Sequence, residues 1–65
     1  MFVVTREWEW SHGRKPRGRG VWWFRSTWEF EGAEFFQAGG TFTEARRAAE
    51  RHAEQQGWEQ VVVCS

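Results

Sequence analysis

Arg14, Lys15, Arg17 and Arg19 crowd into "SHGRKPRGRG", residues 11–20, and Trp22, Trp23 and Arg25 follow at once. Cationic side chains this dense can neutralise successive phosphates, and the interleaved Gly13, Gly18 and Gly20 let the main chain approach a polyanion closely. Indole rings beside such charge stack on unpaired bases, a common combination in single-strand binding. The pattern nominates Arg14, Lys15, Arg17, Arg19, Trp22, Trp23 and Arg25 as a nucleic-acid-binding set. The same residues also read as a solvated loop tip.

Formal net charge is zero over 65 residues, so there is no general pull toward a polyanion. The average hides a segregation. No acid lies between Glu9 and Glu29, where five basic residues fall, and the remainder of the chain is acidic. Such a dipole orients partners.

Residues for catalysis are sparse. His12 and His52 are far apart in sequence, aspartate is absent, and Cys64 is the lone cysteine, which excludes an internal disulfide and a cysteine-rich zinc site. A cysteine nucleophile needs a paired base, and none is near in sequence. Glu7, Glu9, Glu29 and Glu31 lack a metal partner and read as the wet side of a hairpin. The expectation is a protein without enzymatic activity, metal or cofactor.

Positioning falls to a small domain. A chain this short removes only about 60% of its extended surface on folding. Six Trp and six Phe supply the apolar mass in place of disulfides. "FVVTREWEW" alternates, with Phe2, Val4, Trp8 and Trp10 on one face and Val3, Thr5, Glu7 and Glu9 on the other, and predicts a strand. Residues 11–20 then form a basic hairpin loop. "VWWFRSTWEF" alternates again, placing Trp22, Phe24, Trp28 and Phe30 together, and "AEFFQA" predicts a third strand.

Gly39 and Gly40 are expected to break the sheet. A helix follows over about Thr43 to Gln56, capped by Thr41 or Thr43 and stopped by Gly57. Its inner face is nearly all alanine, suited to accept large rings. "WEQVVVC" predicts a returning strand. The expected fold is α+β, a single domain over 1–65 in the order β-β-β-α-β, with one antiparallel or mixed sheet and a single helix on one face.

"GGTFTEARRAAERHA", residues 39–53, resembles the HicB-like antitoxin family, in which a Gly two residues before a Thr leads into a helix opening with Glu-Ala. Gly39, Thr41, Glu44, Ala45 and Ala49 carry the likeness. It implies a truncated ribonuclease-H-like fold and a small RNA-cleaving toxin as protein partner. The chain departs from the family in lacking the Pro that closes strand two and in having no room for a DNA-binding tail. The arm-type DNA-binding domain of tyrosine recombinases is also similar in order, though its spacing between Thr-Phe and Glu-Ala is longer.

Val3, Trp23 and the acidic Glu29 and Glu31 are the candidate partner interface, because the sheet face away from the helix is too apolar to be wholly wet. Self-association as a dimer is expected. No stretch suits a membrane span or signal peptide, and the free thiol fits the cytoplasm. The leading function is a protein-interaction module resembling a HicB-like antitoxin without a DNA-binding tail. The alternative is a compact nucleic-acid-binding domain.

Overall fold

The computed structural model describes residues 2–29 and 31–64. Strands β1 (Phe2–Val4), β2 (Arg19–Arg25), β3 (Phe35–Thr41) and β4 (Gln60–Val63) form one sheet in the order β1-β4-β2-β3. β1 runs parallel to β4, while β2 is antiparallel to both β4 and β3. Two helices, α1 (Arg6–His12) and α2 (Phe42–Gln56), complete a β-α-β-β-α-β chain. The expected position of Phe30 on the core face lies outside the described residues, as does the side chain of Phe2.

The second helix corrects the single-helix, β-β-β-α-β expectation. "REWEWSH" alternates in hydropathy, yet Val4 is the last strand residue and the chain coils at Arg6. Thr5 is the N-cap and its hydroxyl donates to Glu9 one turn on. Glu7 and Glu9 lie in the first turn, where the helix dipole favours negative charge. Gly13 adopts a left-handed conformation at φ 69° and donates its N–H to the Glu9 carbonyl at 2.7 Å. Trp8 turns inward, whereas Trp10 is 73% exposed. Period two is outvoted by a side-chain bond across the first turn, a glycine stop and one ring anchored at helical spacing.

A second correction concerns Gly39 and Gly40. They do not break the sheet but continue β3, where Gly40 pairs with Gly20 and Gly39 with Val21. Gly40 has φ 109°, a conformation that L side chains rarely adopt. Of residues 11–20, expected as a hairpin loop, Ser11 and His12 close α1, residues 13–18 connect helix to strand, and Arg19 and Gly20 open β2.

Helix α2 forms as its spacing predicts. Thr41 accepts from the Glu44 N–H at 3.2 Å, and Glu44 accepts from the Thr41 N–H at 2.9 Å, a reciprocal capping box. Gly57 ends the helix at φ 75°. Ala45, Ala49 and Ala53 face the sheet and are buried against Trp22, Phe24, Trp58, Val61 and Val63. Small residues on the helix let the rings and branched chains of the sheet close in, each fully buried Phe or Val contributing roughly 1.5–3 kcal/mol. The register Val3 to Val61 puts Val3 on this α2 side, packed against the core, and not on the opposite face with Trp23.

Candidate nucleic-acid interface

The face of β2 turned away from α2 carries Val21, Trp23 and Arg25, which alternate with the inward Trp22 and Phe24. Arg25 is only 1% exposed. Its Nη2 donates to Glu7 Oε2 of α1 at 2.6 Å and to the Trp28 carbonyl at 2.8 Å, while Nε donates to the Thr27 carbonyl at 3.0 Å. Nη1 donates to Glu7 Oε1 at 3.3 Å and to Cys64 Sγ at 3.4 Å. Hydrogen bonding to Glu7 raises the Arg25 pKa above its ordinary value, against burial, which lowers it. A bidentate carboxylate and two carbonyls use the fork geometry particular to arginine. Arg25 thus ties α1 to the end of β4 and to the connection after β2. It acts as an internal clasp, turned from any polyanion in solution.

Beside this clasp β4 ends, and the first half of β2 continues without it. A hollow of about 360 Å³ lies there, lined by Trp8, His12, Arg14, Arg17, Arg19 and Trp23 among others. Among the described residues no carboxylate lines it. Its wall is layered: the Trp8 and His12 rings stack at 3.9 Å and 17°, and the Arg14 guanidinium lies 5.7 Å from the Trp8 ring centroid. Cation–π contact of this kind holds a guanidinium near a ring while leaving its N–H groups to other acceptors. Arg14, Arg17 and Arg19 are all exposed, and Trp23 is 48% exposed. Cys64, half-buried, joins the hollow to Arg25.

Of the residues nominated from sequence, Arg14, Arg17, Arg19, Trp22 and Trp23 line this one hollow. Trp22 is 7% exposed and belongs mainly to the core, its ring edge-on to Phe42 at 4.9 Å between centroids. Its Nε1–H has no hydrogen-bond partner among the described residues. Lys15 sits elsewhere, near Pro16, Phe42 and Arg46. Glu29 and Glu31 are exposed in the β2–β3 connection, apart from Val3. The strand reading of residues 5–10 conceals the Trp8 and His12 contribution. Their i, i+4 spacing between Thr5 and Gly13 is the available signal.

Among the described residues, His12 stacks on Trp8, and His52 packs against Phe36 and Trp58. No group of three or more His, Cys or Glu side chains among the described residues is arranged to hold a metal ion. None of the helices is long and apolar enough to cross a membrane among those residues. The arrangement can attract an anion, hold it by several guanidinium groups and offer an indole face beside it. Comparison of the chain with protein-family models, characterised proteins and solved structures finds no match in any of the three.

Proposed function

We propose that this domain binds single-stranded nucleic acid through the hollow between α1 and β2. One observation carries the reading: Arg14, Arg17, Arg19 and the half-exposed Trp23 converge on a single concavity that no described carboxylate lines. The arginines hold phosphates, and Trp23, with the exposed ring of His12, supplies a stacking surface. A duplex keeps its bases paired and offers no free ring face to Trp23, so single strands are favoured. The acidic remainder of the chain confines a polyanion to this side.

Fluorescence anisotropy with labelled single- and double-stranded oligonucleotides at two salt concentrations tests it. Trp23→Ala weakens single-strand binding by about 1–3 kcal/mol, the range for loss of one stacked base. Joint replacement of Arg14, Arg17 and Arg19 by Ala lowers the salt slope by about 0.7 for each phosphate no longer neutralised. No binding by the parent at low salt, or equal binding by the triple variant, overturns the proposal.

A second reading, a protein-interaction module of antitoxin type, draws on a different observation. Val21, Trp23 and Phe35 are exposed on the sheet face away from α2, with Glu29 and Glu31 exposed in the adjoining connection. An apolar patch with acids near its rim suits a small basic protein. Under this reading the triple arginine variant still binds its protein partner, whereas Glu29→Lys with Glu31→Lys does not.

A further inference from the structure

β3 is an edge strand, and its outer side carries one protection, the Glu44 carboxylate that takes the Thr41 N–H. "FFQAGGT" contains no charge and no proline, and its pairing with β2 is in continuous register without a bulge. The Ser26 N–H bonds the Glu34 carbonyl at 2.9 Å, and the Phe42 N–H bonds the Gly18 carbonyl at 3.0 Å. The even-numbered residues of β3 therefore direct their main-chain groups to β2. Those of Gln37 and Gly39 point outward, along the open edge.

We infer that this edge pairs with the same edge of a second copy of the chain, antiparallel about a two-fold axis at Ala38. That register sets Gln37 against Gly39 of the copy and the reverse, so the outward donors and acceptors of both residues are exchanged.

The helices select this register. The Phe36 and His52 rings stack at 4.6 Å, and a Cβ on Gly40 would lie 2.8 Å from Glu44 Oε1, so α2 runs back along β3 with Ala48 near Ala38. Arg46 lies on the other flank, toward Val3 and Lys15. Helical spacing then turns Ala48, with Glu44 and Arg51 beyond it, to the β3 side. A two-fold axis at Ala38 brings Ala48 to Ala48 of the copy, where small side chains allow close approach. Glu44 comes opposite Arg51 of the copy, a pairing of unlike charge. An axis at Gln37 would instead bring the two Arg51 side chains together. The dimer is one eight-stranded sheet with both α2 helices on one side, and it leaves the arginine-lined hollow of each copy open.

Light scattering coupled to size exclusion at micromolar concentration should give twice the 7.8 kDa chain mass. Gln37→Pro removes an outward N–H without touching the β2 ladder and should raise the dimer dissociation constant about tenfold or more, a loss of about 1.4 kcal/mol, with an unchanged circular dichroism spectrum. Ala48→Glu and Ala48→Lys should each be monomeric alone and form a heterodimer when mixed, which reads the axis even if Gln37→Pro fails to fold. Trp23→Ala should leave the mass unaltered. A monomeric parent overturns the inference, as does a folded Gln37→Pro whose dissociation constant equals the parent's, failure of the two Ala48 variants to combine, or dissociation by Trp23→Ala.

Discussion

Replacing Glu7 with alanine should destabilise the domain far more than the loss of a surface charge. Breaking a buried ion pair by removing one partner costs about 3–5 kcal/mol, because the remaining charge stays in a dry site. Two features of the clasp reduce that figure. The Glu7 side chain is 24% exposed, so solvent screens part of the interaction. Arg25 also keeps the Thr27 and Trp28 carbonyls as acceptors. Discounted for these two features, the expected loss is about 2–3 kcal/mol, below that range. For a domain this small it corresponds to a fall in Tm of about 8–24 °C, at about 4–8 °C per kcal/mol. Thermal melts of Glu7→Ala, Arg25→Met and the double variant measure it as a cycle. The double variant should be more stable than Arg25→Met and Glu7→Ala taken additively, since neither charge is then left alone. A Tm within about 3 °C of the parent for Glu7→Ala, under 1 kcal/mol on the same scale, would refute the clasp.

Gly40→Ala should lower stability by about 1 kcal/mol or more, because φ 109° is strained for an L residue and the new methyl would meet the Glu44 carboxylate; chemical denaturation reads the shift in midpoint. The Glu44 pKa lies below its ordinary value, first through the Thr41 backbone N–H, then through the Thr41 side chain, with a smaller pull from Arg19. Its folded-state pKa is depressed, so the stability it adds is present above the ordinary carboxylate range and is lost as pH falls through the lowered value. Glu44→Gln should therefore be less stable than the parent at neutral pH and converge on it in acid, as melts across pH would record.

Helix α2 is legible because its signals agree: a threonine cap, alanines at helical spacing and a terminal glycine. The alternation of β2 is legible as far as Arg25, whereas Trp28, expected on the core face of the same strand, lies beyond its end and is 43% exposed. Helix α1 is not legible from hydropathy, because Trp8 and Trp10 imitate a strand although one is buried and the other is solvated. The Thr5–Glu9 side-chain bond and the left-handed stop at Gly13 favour the helix, and those residues are present in the sequence. Alternation places Val3 on the wrong side because the face of a three-residue strand depends on its partner, here a strand at the far end of the chain. For the hollow, the charges of Arg14, Arg17 and Arg19 are plain in the sequence, but their convergence needs α1. Arg25 has the composition of a binding residue. Only the fold reveals that its charge is satisfied inside.

The strand order has a consequence for how the chain reaches its native state. β4, the last of the four strands to be synthesised, is not added to an edge but sits between β1 and β2. Until it arrives β1 has no neighbour, and β2 and β3 make a hairpin whose inner side is open. Partial chains emerging from a ribosome therefore expose a gap at the centre of the future sheet. Pairing Phe2 with Gln60 closes nearly the whole chain into one loop, and such non-local contacts slow folding. The domain should assemble late and in a single cooperative step, in which Val61, Val62 and Val63 fill the gap. A polar substitution at one of these three valines would leave the hairpin and α2 with little to pack around, and the nascent chain would remain a substrate for chaperones.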